Sequence, residues 1–223
     1  MPRKPRPIGP LVTYHVTSQC NNSDFLFNTS HDFRLFLDCV NFYKKKYGFK
    51  LFSYCLMSSH FHLIIQTPDF PDNPADKNPS ISNIMHDINS RFAHVYNKLH
   101  NRKGHFFNAR FKSPIIEIDS YGIALIKYIA QNPVRAGMVK HPRDWRWSSY
   151  RVYSLGENDP LIDLIPSYVG MNAKRLVRMR MIRELVEGQI MKKDNYWSCS
   201  FAIGKENFIR NTILNFLGSS PPG

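Results

Sequence analysis

The sequence is short of cysteine, of acidic residues and of long apolar runs. Its four cysteines (Cys20, Cys39, Cys55 and Cys199) are widely scattered with no C-x-x-C pair. That excludes a disulfide framework and a zinc ribbon, and buried thiols are expected instead. No stretch approaches the roughly 20 apolar residues of a membrane-spanning helix, and Met1 to Pro10 has no apolar run of signal-peptide length. The expectation is a soluble, cytoplasmic protein without a membrane partner, nucleoid-associated if prokaryotic. Internal repeats are absent as well. Acids are outnumbered, 17 Asp and Glu against 30 Lys and Arg, for a formal net charge of +13 over 223 residues. Such a surplus concentrates polyanions, of which nucleic acid is the commonest. With 43% hydrophobic and 13% aromatic residues the chain can bury a core, so it is not merely a disordered basic tail.

Residues 1–10 alternate proline and base, which prevents a helix and leaves an extended cationic arm. Leu11 to Ser18 is uncharged and rich in Val, Thr and Tyr, as a strand should be. Ser30 is placed to cap a helix to about Lys46, with Phe33, Phe36, Leu37, Val40 and Tyr43 at helical spacing and Gly48 closing it. Two strands follow, Lys50 to Met57 and His60 to Thr67, joined by a tight Ser58-Ser59 turn. Residues 68–79 hold four prolines and form an irregular connection. Ser80 then caps the clearest helix, striped by Ile81, Ile84, Met85, Ile88, Phe92, Tyr96 and Leu99 and ended by Gly104. His105 to Ile118 reads as one or two strands broken near Pro114. Asp119 or Ser120 caps a further helix to about Gln131, stopped by Asn132-Pro133. The order β-α-β-β-α-β, with one added helix, predicts an α+β fold with a ferredoxin-like, split βαβ antiparallel sheet. Residues 1–153 form the main domain in this reading. Residues 154–223 form a mainly helical extension, with helices near 172–189 and 205–216.

The side chains that can do chemistry gather in two places. On a strand, His60 and His62 project to one side while Phe61, Leu63 and Ile65 project into the core. Two imidazoles on a rigid strand suit a bidentate metal site, although such a pair also arises by chance. On the helix ending at Gln131, Ile123, Ile126, Ile129 and Ala130 cluster on one side. Tyr121, Tyr128 and Asn132 gather on the other, away from the helix's core contacts. A helical tyrosine is often a packing residue, but this one is paired with a carboxamide at i+4 and followed by Arg135.

Taken together, Tyr54 to Ile65 (Y-C-L-M-S-S-H-F-H-L-I-I), Gly104 to Lys112 (G-H-F-F-N-A-R-F-K), Tyr128 to Val139 (Y-I-A-Q-N-P-V-R-A-G-M-V) and Asp144 to Tyr150 (D-W-R-W-S-S-Y) carry a family resemblance. The chain resembles the single-tyrosine HUH transposases of the IS200-like superfamily, in particular the REP-associated tyrosine transposases, over about Leu11 to Tyr153. By that resemblance His60 and His62 are the metal-binding pair and Tyr128 is the nucleophile. Asn132 stands where related enzymes supply a third metal ligand. Two departures occur. Ser58-Ser59 replaces the usual Pro-Asn-like pair before the first histidine, and Leu125 stands where many REP-associated members carry a histidine three residues before the tyrosine.

The implied chemistry is metal-dependent cleavage and rejoining of single-stranded or hairpin DNA through a covalent 5′-phosphotyrosine, with Mg²⁺ or Mn²⁺ as cofactor and the protein a monomer or homodimer. A free phenol with pKa near 10 is ionised in about one molecule per thousand at pH 7, so Tyr128 needs activation. Candidate DNA contacts are Arg3, Lys4 and Arg6 on the arm, then Lys44, Lys45, Lys46, Arg102, Lys103, Arg110, Lys112 and Arg135. Trp145 and Trp147 are candidates either for base stacking or for packing the C-terminal segment, and a basic helix near Lys174 to Arg183 is either a DNA contact or a solvated face. The alternative function is a non-catalytic nucleic-acid-binding module of ferredoxin-like fold, for which Gly104-His105-Phe106-Phe107 is a faint RNP-like echo. A two-histidine phosphoesterase would need a second H-x-[ST] element, and none is present.

Overall fold

The computed structural model describes residues 8–21, 26–69, 79–190 and 201–217. A five-stranded sheet runs in the order β2-β3-β1-β4-β5. β1 (Thr13–Gln19), β2 (Lys50–Leu56), β3 (His60–Gln66) and the short β4 (Ile115–Ile116) pair antiparallel with one another. β5 (Ala202–Ile203) lies parallel to β4. The first four strands, with α1 (Ser30–Tyr47) and α2 (Ile81–Leu99) between them, make the expected ferredoxin-like α+β unit.

Helices α1 and α2 cover one face of the sheet, over Tyr14, Val16, Phe61, Leu63 and Ile65. Their junction is aromatic: Phe27 stacks on Phe92 at 5.2 Å and meets Phe36 and Phe106 edge-on. The other face carries a second core. There Cys55, Ile64 and Ile116 meet α3 (Ile118–Ala130), α5 (Tyr150–Ser154), α6 (Pro166–Val169) and α7 (Arg175–Glu187). α4 (Asn132–Arg135) follows α3 directly, and α8 (Glu206–Leu217) ends the described chain.

Several expected boundaries shift for local reasons. The N-cap of α1 is Thr29, one residue before Ser30, because only from Thr29 does the third helical residue, Asp32, reciprocate. From Ser30 that position would be Phe33, which has nothing to offer. Gly48 closes α1 in the left-handed region at φ 69°, as expected. α2 is capped by Ser80 but stops at Leu99, which is exposed rather than part of the buried stripe. His100, not Gly104, caps its end, and its side chain turns back to Asp32.

The strand expected over 105–118 shrinks to Ile115–Ile116, preceded by single bridges from Lys112 to Thr17 and from Phe107 to Cys20. Pro114 accepts from the amide of His15 but has no N–H to return, so the ladder cannot run through it. α3 starts at Ile118 without a side-chain cap, since the Glu117 carboxylate is used by the amide of Lys205. Neither Asp119 nor Ser120 caps it.

Residues beyond 153 are not only helical: β5 extends the sheet, and Ile165, Tyr168, Ile182, Val186 and Ile203 fill the second core. The outer edge of β2 is covered rather than exposed, with Leu56 donating to the Trp147 carbonyl and Ser149 to that of Tyr54. Trp147 stacks on Phe33 at 4.7 Å and the Trp145 indole donates to the Leu56 carbonyl, so both tryptophans are packing residues. Cys20, Cys39 and Cys55 are buried thiols, whereas Cys199 lies outside the described residues.

One buried charge ties α1 to α2. The Asp32 carboxylate accepts from the Thr29 amide at 2.8 Å, the Thr29 hydroxyl at 2.9 Å and the Asn28 amide at 3.2 Å, and faces His100 Nε2 at 2.7 Å. Burial alone would push its pKa up, but these hydrogen bonds outweigh it and the carboxyl sits below its usual range. A depressed carboxyl contributes stability above its unfolded pKa, near 4, and loses it as pH falls through the folded value. Asp32→Asn should therefore cost about 2 kcal/mol at pH 7 in urea unfolding, with the gap to the native protein narrowing at pH 3.

Candidate active site

Strand β3 presents Phe61, Leu63 and Ile65 to the aromatic core, which sends His60 and His62 to the opposite face. On that face His62 is flanked by Thr17 of β1 and Cys55 of β2, while His60 pairs with Gln19. The two imidazoles meet edge-on at 5.1 Å. In the turn before them, Ser59 Oγ lies 3.1 Å from His60 Nδ1, so the second residue of the Ser-Ser pair orients the first histidine.

Tyr128 reaches the same place from α3. It is buried rather than displayed on a face away from core contacts, because α3 is enclosed by the sheet and by α5 to α7. Its ring stands edge-on to His62 at 6.1 Å and to His15 at 6.3 Å. The helix ends immediately afterwards, at Ala130, and the side chains of Asn132 and Arg135 fold back on its last carbonyls. Asn132 Nδ2 donates to the Tyr128 and Ile129 carbonyls at 3.1 and 3.3 Å. Arg135 Nη2 donates to the Tyr128 carbonyl at 2.6 Å, and its guanidinium lies 4.5 Å from the centre of the Tyr128 ring. With the amide nitrogen of Asn132 so engaged, Oδ1 is the atom it can offer a cation.

These groups share one cleft of about 360 Å³. His60, His62, Tyr128, Asn132 and Arg135 line it together with Arg110 and Lys112, and no acidic side chain does among the described residues. His62 has its pKa pushed well below its ordinary value, first by burial and then by His15, His60 and Arg135, so it is neutral at pH 7. A neutral imidazole is what metal ligation requires. Its Nε2 is buried and makes no hydrogen bond. Among the described residues no three His, Cys, Asp or Glu are arranged to hold a metal ion by themselves, so a cation here would rest on two imidazoles and an amide oxygen. An orphaned imidazole nitrogen on a side chain that lines the same cleft as Asn132 fits such a cation, with coordination positions left open.

The other sequence-selected cations are not gathered here. Lys44, Lys45 and Lys46 end α1, which packs on the opposite face of the sheet; Lys44 pairs with Asp163 at 2.7 Å, and Lys46 lies 3.8 Å from Asp87. Arg102 braces the turn after α2 through Asn97 and the His105 carbonyl, and Lys103 is exposed beside it. Arg3, Lys4 and Arg6 lie outside the described residues. Conversely, His15 escaped sequence reasoning. Its place on the His62 face follows from β-alternation only once the β1–β3 register is known.

The family model for IS200-like transposases matches residues 10–132, more than half of the chain. The chain belongs to this transposase family. Membership makes it a DNA-cleaving enzyme of the transposition class. The transposase is 25% identical over 147 residues to a Haemophilus influenzae protein provisionally described as a REP-associated tyrosine transposase, which covers 64% of this chain and 80% of that one. Among solved structures it is similar to a REP-associated tyrosine transposase bound to a REP hairpin, with a TM-score of 0.58 and 19% identity over 75% of this chain and 93% of the other. At that identity the likeness concerns the fold. No helix among the described residues of the transposase is long and apolar enough to cross a membrane.

The C-terminal part of the transposase braces α3, the helix that carries Tyr128. Gln131, fully buried beside Asn132, donates through Nε2 to the Val186 and Gln189 carbonyls at the end of α7, at 2.6 and 3.0 Å. Glu187, on the same turn, binds Arg143 and Tyr150. Gln131→Ala should cost about 1–3 kcal/mol by orphaning the buried Val186 carbonyl. Hydrogen exchange should report the loss as faster exchange at the end of α7 and in the last turn of α3.

Proposed function

We propose that this transposase cuts and rejoins single-stranded DNA at hairpin-forming repeats through a covalent 5′-phosphotyrosine on Tyr128, with Mg²⁺ or Mn²⁺. The observation that carries the reading is the shared cleft, where an imidazole pair, a tyrosine and three cations meet in one chain without an acid. The hairpin-bound relative supports the choice of DNA form. In this reading residues up to about 153 are the catalytic domain and the remainder supports it.

His60, His62 and Asn132 would hold the divalent cation, which when bound supplies Lewis acidity to offset charge on the non-bridging phosphate oxygens. Arg110, Lys112 and Arg135 draw the phosphate into the cleft by charge. The Tyr128 oxygen attacks phosphorus in line and forms a tyrosyl O–P bond while the P–O bond to the 3′ oxygen breaks. The phenolic proton is lost to solvent and the departing oxygen takes one up, so a 3′-hydroxyl end is released. Arg135 sets a positive charge against the ring whose oxygen becomes more negative as it attacks. Because the new bond keeps the energy of the old one, a second strand's 3′-hydroxyl can reverse the step. Burial of Tyr128 limits hydrolysis of the adduct.

The non-catalytic alternative is disfavoured. An RNP-type surface needs aromatics on an open sheet face, whereas both faces here are covered and Phe106 is 1% exposed in the core.

Incubation with end-labelled hairpin single-stranded DNA and Mn²⁺ should give a protein–DNA adduct on a denaturing gel. Tyr128→Phe should remove the adduct and keep binding, and His60→Ala should lower metal-dependent cutting at least 100-fold. An adduct that survives in Tyr128→Phe would sink the assignment of the nucleophile. Removing Arg110 or Lys112 should weaken binding to all sequences and flatten the slope of log K against log salt by about 0.7 each.

A further inference from the structure

We infer that His15 is a positioning residue for the metal site: its Nε2 accepts the Nδ1 proton of His62, so that the Nε2 lone pair of His62 is available to the cleft. The inference deepens the proposed function and rests on its assignment of His62 as a ligand.

The geometry begins with register. β1 pairs Thr17 with His62 and His15 with Ile64, which makes His15 the diagonal neighbour of His62 on the same face. The rings lie 12° from parallel with centroids 5.2 Å apart, and His15 Nε2 is 3.0 Å from His62 Nδ1. Two imidazole nitrogens at that separation share one proton between them.

Two arrangements are possible. If His15 donates, neutral His62 must carry its own proton on Nε2. That atom is buried without a hydrogen-bond partner, so its N–H would have no acceptor and no lone pair would remain for a cation. If His62 donates from Nδ1, its Nε2 keeps a lone pair on a side chain that lines the cleft, and an arriving cation satisfies it. Only the second arrangement gives the orphaned nitrogen a use. It also matches the general habit of metal-binding histidines, which anchor the ring by donating the opposite N–H to a protein acceptor. The acceptor here is a fully buried imidazole held by the sheet, with Tyr128 edge-on against both rings. One contact therefore fixes the tautomer of His62 and the plane of its ring relative to the nucleophile.

The test combines a spectroscopic readout on the native protein with metal binding in variants, using Mn²⁺ alone as the probe. In ¹⁵N spectra of the metal-free native protein, both His62 and His15 should carry their proton on Nδ1. His15→Leu should weaken Mn²⁺ binding, measured by electron paramagnetic resonance of the free ion, about 10–100-fold. His15→Gln offers an amide oxygen as acceptor and should recover part of that loss. A proton on His62 Nε2 in the native protein would overturn the inference whether or not the leucine variant folds. So would unchanged Mn²⁺ affinity in His15→Leu while His62→Ala has lost binding. If His62→Ala itself binds Mn²⁺ like the native protein, the metal-site assignment falls first, and the role of His15 falls with it.

Discussion

The site depends on one register, that of β1 against β3. Because side chains alternate, a slip by one residue would exchange the apolar set Val16, Phe61 and Leu63 for the polar set His15, Thr17, His60 and His62. What forbids the slip lies on the far side of the sheet. Phe61 and Leu63 pack against the aromatic cluster of α1 and α2, and each large apolar side chain buried there contributes roughly 1.5–3 kcal/mol. The imidazoles are thus placed by the burial of residues that never touch them, a more rigid arrangement than a flexible loop would give.

The second face gives these groups their chemical character. Helices from the later part of the chain enclose α3 and bury the tyrosine and one histidine at the rim of an apolar core. Charges interact more strongly there than in water. That is why burial is the first cause that holds His62 neutral. The Asn132-Pro133 break contributes as much as any enclosing helix: by ending α3 just past Tyr128, it lets Asn132 and Arg135 turn back onto the helix's last carbonyls.

Much of this was legible from residue patterns. The succession of strands and helices up to α3, the Gly48 and Ser80 caps, the His60–His62 face and the Tyr128–Asn132 spacing are local signals, and local periodicity carries them. Their failures are equally physical. Thr29 displaced Ser30 because reciprocity with Asp32 decides a capping box, and that depends on a pair of residues. The strand after His105 dissolved into single bridges because Pro114 lacks a donor. His15 was invisible because its meaning comes from a residue 47 positions away. The tryptophans and Lys44 were ambiguous for the same reason, since the partners that occupy them, Phe33, the Leu56 carbonyl and Asp163, are all distant in sequence. The role of the C-terminal segment was hidden too, because Gln131 reads as a helix-end glutamine until Val186 and Gln189 are seen beside it.

The charge balance of the cleft has a consequence for how its ligands arrive. Arg110, Lys112 and Arg135 line it with no acid among the described lining residues, and both His60 and His62 offer uncharged donors when they bind a cation. On the proposed function, a divalent ion entering alone would meet like charge with only neutral ligands to hold it, so it binds the DNA-free protein less tightly than the DNA complex. A phosphodiester entering alone would find the cations but lack the Lewis acid. Each ligand removes the repulsion that opposes the other, so by linkage the two strengthen one another's binding by the same factor. A site built this way fills more readily when the DNA backbone is present. Buried Tyr128 is then engaged in chemistry only when the phosphate and the cation occupy the cleft together.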